Sequence, residues 1–434
     1  MELGYITFSS KEQELVHKVL QQLTEGAIDE LGLGRIRDAF SDEMFPGMST
    51  LHRRSKYFVL LPALYNQISK TPINQISKKS SNDIRKDIAS LIRKWEINMT
   101  ISLLNYANQN SLSTDGITGN SIGIDRLRSG EFVKIRPTTI YLSSLKTFGL
   151  VSDRMNLIDL IYQQLLINES KGRKKIKKVN PNEADKRREK DEYEDPDDTN
   201  DPGNSANFGP FASYDFSEES AISLQLTAYE AQILKQKIIG RCSKEGKDNL
   251  YSYILKHDSI SIENDYFKMK DIVDGFRANC SDLKKVYNMA YDFSKWAHLM
   301  NTYYRYAFYR KKDEKKARNQ LEHIKEIIEE NDYPSKERMG EIIDYVTYLP
   351  TFNDVNGLGI FCKKSSELIG NKNAEEDLIS LIANREKQIK RNHYKIGNEK
   401  YKDTDFAELP GYYTYRWNEI VYSMINDIRN PYNK

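Results

Sequence analysis

Apolar residues return at helical spacing along most of the chain. In "KEQELVHKVLQQL" the positions Leu15, Val16, Val19, Leu20 and Leu23 form one stripe, with Ser10 placed to cap the helix. In "SNDIRKDIASLIRKWEINMTISLLNYA" a second stripe runs through Ile84, Ile88, Leu91, Ile92, Trp95 and Met99, behind a cap at Ser81 or Asn82. Pro137 and Thr138 open a helix carrying Ile140, Leu142, Leu145 and Phe148, which Gly149 can close in the left-handed conformation. Thr227 is placed to cap a helix with Ala231, Ile233, Leu234 and Ile238 inward. The longest stripe passes through Leu283, Val286, Ala290, Phe293, Ala297, Met300, Tyr304 and Ala307. The last, "YRWNEIVYSMINDI", buries Trp417, Ile420, Val421, Met424 and Ile428 at the same period. Period-two alternation is scarce, and no repeat stands out.

The stripes stop between Asn168 and Tyr214, where a basic run passes into an acidic one and then into Pro, Gly, Asn and Asp. The predicted architecture is mainly α, with an N-terminal helical domain over 1–167, a charged flexible linker over 168–214 and a C-terminal helical domain over 215–434. The turn-rich stretch before Pro137 and the short helix ending in Gly149-Leu150-Val151 are compatible with a winged-helix module in the N-terminal half. They suit a plain helical layer equally well.

A chain of 434 residues exceeds one ordinary core, and 39% hydrophobic content with 28 tyrosines supplies material for more than one. Its 65 Lys+Arg against 63 Asp+Glu leave a net charge of +2, so any attraction to nucleic acid must come from a local patch. Cys242, Cys280 and Cys362 are odd in number and far apart, which argues against a disulfide framework and fits a reducing compartment. No apolar leader opens the chain, and no run of about 18 uncharged apolar residues follows. The expected location is the cytoplasm, without membrane contact.

Candidate chemistry concentrates in "GLGRIRDAFSDEMFPGMSTLHRRSKYF". Gly32 and Gly34 suggest a phosphate loop, but the third glycine of a dinucleotide fingerprint and the Gly-Lys-Ser/Thr of a P-loop are both missing, so a chain-breaking turn is the simpler function for the pair. Arg35, Arg37, Arg53 and Arg54 can fork onto phosphates or carboxylates, with Ser49, Thr50 and His52 adding hydrogen bonds at a helix that starts near Thr50. Alternatively Asp38, Asp42 and Glu43 pair with these arginines, and Ser49 or Thr50 is only a cap. Further cations stand at Arg126, Arg128, Lys134 and Arg136.

In "YYRYAFYRKK" aromatic rings interleave with Arg305, Arg310, Lys311 and Lys312, the composition of a single-strand contact, although a core helix with a basic last turn has the same appearance. The run Lys171–Lys178 is offset by the acidic stretch that follows it, and reads as solvated linker. Glu245-Gly246-Lys247 and Glu314-Lys315-Lys316 match a nuclease spacing without a strand pattern around them, and Pro196-Asp197 falls in the linker. The six histidines keep no metal-ligand spacing to one another or to a cysteine, so no metal and no cofactor are expected.

Three stretches together, "DELGLGRIRDAFSDEMFPGMSTLHRRSKYFVLLPALY", "IYLSSLKTFGL" and "YRWNEIVYSMINDI", resemble a family of uncharacterised bacterial proteins known only as a domain of unknown function. Gly34, Arg35, Arg37, Asp38, Phe45, Pro46, Gly47, Ser49, Thr50, Arg54 and Tyr57 stand where the family pattern has them. Tyr141-Leu142 replaces the usual Tyr-Trp, and Ala63-Leu64 the usual Trp-Ile. The resemblance implies a setting among helicases, nucleases and methyltransferases of antiviral defence islands, and implies no activity. The expectation is a non-enzymatic DNA- or partner-binding subunit of a multi-component antiphage system. Its contacts would be Arg35, Arg37, Asp38, Ser49, Thr50, Arg53, Arg54, Arg126, Arg128, Lys134, Arg136 and Arg310 to Lys312. The alternative is a nuclease-like enzyme in which Asp38 with Asp42 or Glu43 holds a divalent metal beside Arg35 and Arg54.

Overall fold

The computed structural model describes residues 29–72, 80–178, 207–243, 247–276, 280–354, 356–406 and 409–432. The stripe at Leu15 to Leu23, Pro196-Asp197 and Glu245-Gly246 lie outside them. In chain order the helices are α1 (Gly34–Met44), α2 (Tyr57–Ile68), α3 (Ser81–Gln109), α4 (Ile124–Arg128), α5 (Pro137–Thr147), α6 (Leu157–Lys178) and α7 (Ala228–Cys242). They continue with α8 (Leu250–Lys256), α9 (Met269–Asp274), α10 (Ser281–Tyr309), α11 (Glu314–Glu329), α12 (Lys336–Thr347), α13 (Leu358–Leu368), α14 (Glu375–Lys390) and α15 (Tyr422–Arg429).

The protein is mainly helical, and among the described residues there are no strands; isolated bridges join Val151 with Phe208 and Thr227 with Tyr432. The β-hairpin that a winged-helix module requires is therefore not formed among them. No helix of the described residues is long and apolar enough to cross a membrane. All three cysteines are buried free thiols.

Two compact units divide the chain, one containing Ser49–Cys242 and Ser423–Lys434, the other Thr7–Met48 and Ser243–Tyr422. Both flanks of the 168–214 segment fall in the first unit. That segment begins as helix, since α6 runs on to Lys178. It ends as a strap pinned to its own unit: Gly209 N–H donates to the Leu150 carbonyl at 2.8 Å, and the Gln67 amide pairs with both main-chain groups of Tyr214.

In the first unit α2 is apolar on every side, so it sits in the centre, with Tyr57 to Tyr65 and Ile68 buried. Helices α3, α5, α6 and α7 pack around it. Helix α3 is amphipathic over its first turns and nearly all buried from Glu96 to Leu104. Its cap is Ser80, whose hydroxyl accepts from Asp83 N–H, one residue before the cap expected from sequence. Helix α5 turns Tyr141, Ser144 and Leu145 inward, while Ile140 and Leu142 are only half-buried, because Tyr141 finds hydrogen-bond partners inside. Gly149 takes the left-handed conformation at φ 65°, as its place after α5 predicts. Thr227 and Glu230 cap α7 reciprocally: Glu230 N–H donates to the Thr227 hydroxyl, and Thr227 N–H donates to the Glu230 carboxylate at 2.8 Å.

In the second unit α10 is the spine. Helices α11, α14 and α1 lie against it, and α12 and α13 form a hairpin. The closing segment departs from regular helix. Trp417, Ile420 and Val421 are buried as predicted, but Asn418 and Glu419 have non-helical angles, and Trp417–Val421 winds as a π turn before α15.

Lys56 and Glu230 form an ion pair at 2.7 Å and are only 2% and 5% exposed. Lys56→Met leaves that carboxylate buried without its cation and is expected to cost about 3–5 kcal/mol, whereas adding Glu230→Gln should recover most of the loss. Urea unfolding of the three proteins measures both effects. An unchanged midpoint for the single variant would mean that the pair stabilises nothing.

Candidate nucleic-acid interface

The glycine turn before α1 already holds an anion of its own. Gly34 N–H donates to Asp29 Oδ2 at 2.8 Å, which puts a carboxylate where a phosphate loop would bind its ligand. Gly32 has φ 75°, and a Cβ there would meet Ile389 Cδ1 at 2.9 Å, while Arg385 Nε donates to the Leu31 carbonyl beside it. The pair of glycines is thus a turn packed against α14.

On α1 one pair of the ion-pairing alternative is present. Arg37 Nε donates to Asp38 Oδ1 at 3.0 Å, and its guanidinium lies over the Tyr413 ring. Asp42 meets a partner far away in sequence: Arg416 Nη1 donates to Asp42 Oδ1 and to the Met48 carbonyl, both at 2.6 Å, and Nη2 is 3.7 Å from Asp38. Sequence proximity pointed to Arg37 and could not point to Arg416. Tyr415 and Arg416 hold this geometry at φ 52° and 65°, left-handed values that cost a non-glycine residue roughly 1–2 kcal/mol each. Arg35 is exposed and forms no ion pair among the described residues.

Ser49, Thr50, Arg53 and Arg54 belong to the first unit, so the arginines of the opening motif do not form one cluster within either unit. No helix starts at Thr50; residues 50–56 are turn and irregular loop, and α2 begins at Tyr57. Ser49 organises that turn, its hydroxyl accepting from Leu51 N–H and its own N–H donating to His52 Nδ1 at 3.1 Å. An accepting Nδ1 makes His52 the Nε2–H tautomer, with the Ile140 carbonyl at 3.3 Å and the Ser144 hydroxyl at 3.2 Å as partners. The imidazole stacks on Tyr141, and the Tyr141 hydroxyl accepts from Arg53 N–H at 3.1 Å and Arg54 N–H at 3.3 Å. A buried tyrosine thereby fixes the main chain under both arginines.

Arg54 then reaches the loop after α3, where Nε donates to the Asp115 carbonyl at 2.8 Å and Nη2 to the Ser113 carbonyl at 3.0 Å. Gly116, at φ 78°, lets the loop pass: a Cβ there would lie 2.7 Å from Arg53 Cβ. Further along, Arg93 donates to the Gly130 carbonyl at 3.0 Å, a contact with no sequence signal. Arg136 pairs with Glu96 at 3.3 Å, Arg126 with Glu131 at 2.5 Å and Arg128 with Glu218 at 3.6 Å. Lys134 is exposed and has no ion pair among the described residues. Direct contacts thus join Arg54 to Ser113 and Asp115, and Arg93 to Gly130.

Tyr303 to Lys312 is a core helix end. Tyr303, Tyr304, Phe308 and Tyr309 are buried, Arg310 forks onto both oxygens of Glu376, and Lys312 donates to the Thr404 carbonyl at 2.5 Å. The Glu314-Lys315-Lys316 triplet sits in the first turn of α11 rather than on a strand. Among the described residues no group of three or more metal-ligating side chains converges. Two histidines do meet, His298 and His323, with Nε2 atoms 2.9 Å apart. They lie nearly equidistant from the turn that joins α10 to α11, and that symmetry was the available signal.

Tyr141→Phe removes the acceptor shared by two main-chain N–H groups and should destabilise the first unit by about 1–3 kcal/mol. Hydrogen exchange should quicken at Arg53 and Arg54, and unaltered protection there would show that the hydroxyl does not hold the turn.

Residues 1–152 match the model of a family described as a family of unknown function, DUF6361, and the stretch "YRWNEIVYSMINDI" lies outside that match. No curated protein and no solved structure matches the chain. Its first third is therefore similar to an uncharacterised domain.

Proposed function

We propose that the chain is a non-enzymatic nucleic-acid-binding subunit that contacts phosphates through the Arg53-Arg54 turn and the glycine-rich loop of its first unit. The carrying observation is the Arg54 side chain, which two main-chain carbonyls hold in direction without a carboxylate at ion-pair distance among the described residues. Carbonyl oxygens orient a guanidinium without cancelling its charge, and an oriented fork loses less freedom when it meets a phosphate. Arg93 is held by a carbonyl in the same way, and Lys134 is exposed nearby in sequence to Gly130. Gly123 and Gly130, at φ 82° and 89°, have open space where a Cβ would stand, leaving main chain that another backbone can approach. The pairs of Arg126 and Arg128 are exposed, so exchanging their carboxylates for phosphates costs little.

The loop is favoured over the helix as the contact. In α5, which a winged-helix arrangement would place in a groove, the first turn is taken by Glu96, whose carboxylate accepts from Thr138 N–H at 2.7 Å. The wider setting, an antiphage system with helicase, nuclease or methyltransferase partners, rests on the family resemblance of the three sequence stretches alone.

Fluorescence anisotropy with labelled single- and double-stranded DNA tests the contact. Arg53→Gln, Arg54→Gln and Lys134→Gln should each weaken binding and lower the slope of log affinity against log salt by about 0.7–0.9. Arg310→Gln, whose native guanidinium is engaged by Glu376, should change neither. Absence of binding by the wild-type protein at low salt would overturn the assignment.

A further inference from the structure

Helix α14 ends in the run "KQIKRNHYKIGNEKYK", Lys387 to Lys402, which holds six cations and a single carboxylate, Glu399. Two buried glutamates fix this run from inside. Glu386 accepts from Lys395 N–H at 2.8 Å and Ile396 N–H at 3.0 Å, and Glu30 takes Lys395 Nζ at 2.5 Å with Lys390 Nζ at 3.5 Å. Its parts are also tied to each other: His393 Nδ1 lies 3.3 Å from the Tyr401 hydroxyl, and Asn398 Nδ2 donates to the Tyr394 carbonyl at 2.9 Å.

The other four cations, Lys387, Arg391, Lys400 and Lys402, are exposed and form no ion pair among the described residues. Lys387 Nζ stands 5.2 Å from the centre of the Tyr394 ring and Lys400 Nζ 5.9 Å from that of Tyr401, and both rings are half-buried. A ring face orients an ammonium and leaves its charge in place. Arg391 has φ 51° and ψ −114°, a backbone conformation that favours glycine, held here at an exposed cation. The dipole of α14 accounts for Lys387 and Lys390, in its last turn, and falls off beyond it.

Cations without carboxylates, interleaved with rings on a fixed main chain, suit a single-stranded nucleic acid, whose phosphates follow the charges and whose bases stack on the rings. An anionic membrane surface calls for apolar side chains that insert, and no large hydrophobic side chain of 387–402 is exposed. We propose that residues 387–402 form a sequence-independent contact for single-stranded nucleic acid in the second unit, with Lys387, Arg391, Lys400 and Lys402 on phosphates and Tyr394 and Tyr401 as stacking surfaces for bases. Each of the two ring-bound lysines moves to a phosphate as a base takes its place on the ring. The contact rests on observations separate from those of the Arg53-Arg54 turn.

Fluorescence anisotropy of the whole chain with labelled oligo(dT) at several salt concentrations tests it. Arg391→Gln, Lys400→Gln and Lys402→Gln should each lower the slope of log affinity against log salt by about 0.7. Tyr394→Leu should weaken binding by roughly fivefold or more and leave the slope unaltered, since a stacked ring releases no counterion. Lys325→Gln, the same loss of charge at an exposed position of α11, should change neither. Binding that survives Arg54→Gln and is lost with the four cations of 387–402 would support this contact and overturn the one in the first unit. Variants of 387–402 that bind like the wild type while Arg54→Gln binds more weakly would overturn this contact and leave the other. Capture of the chain by phosphatidylserine vesicles, relieved by Arg391→Gln and without binding of oligo(dT), would overturn it in favour of a membrane. The charge variants, all at exposed side chains, decide alone should Tyr394→Leu not fold.

Discussion

A carboxylate taken out of water must be answered by donors, and among the described residues four glutamates impose that demand. Glu30, Glu96, Glu230 and Glu386 are at most 5% exposed. In the first unit Glu96 gathers Arg136 and the first turn of α5, and Glu230 gathers Lys56 and the start of α7. In the second, Glu386 accepts from the Tyr304 hydroxyl and from Lys395 and Ile396 N–H, while Glu30 holds Lys395 Nζ at 2.5 Å. Each joins segments separated by tens to hundreds of residues. Apolar packing shapes the helices, and these carboxylates fix which segments lie beside which.

Much of the helical framework is legible from periodicity, because an apolar stripe has few alternatives in water. The stripes of α3, α7 and α10 and the turn at Gly149 follow from it directly. What periodicity cannot express is a polar group that is buried because a distant partner exists. Glu96, within a helix that also carries Arg93 and Lys94, has the appearance of a surface residue, yet it is fully enclosed. Tyr141 has the same character: the period assigns the inner face of α5 to Ile140 and Leu142, and three hydrogen bonds to the Arg53-Arg54 main chain assign it to Tyr141 instead.

The candidate site shows the same limit. Arginine clustering in sequence drew attention to these residues and said little about what each of them contacts. Arg37 and Arg310 are held by carboxylates, Arg136 by a buried one, and Lys312 by carbonyls of the 401–404 loop. Asp38 was legible as a partner of Arg37 since the two are adjacent. Asp42 was not legible as a partner of Arg416, because the left-handed backbone that aims Arg416 has no signature in residue type.

The Arg54 fork has a consequence for how such a site can change over time. Its acceptors are the main-chain oxygens of Ser113 and Asp115, so what the loop supplies to the guanidinium is a path and not a carboxylate. Residue 115 is then free to drift, provided that Gly116 keeps the path open beneath Arg53 and that the Ser113 hydroxyl, which accepts from Asp115 N–H at 3.1 Å, keeps the turn. Inheritance would preserve one glycine, one arginine and a small hydroxyl while position 115 varies, and comparison of related chains would pass over it as an ordinary variable loop position.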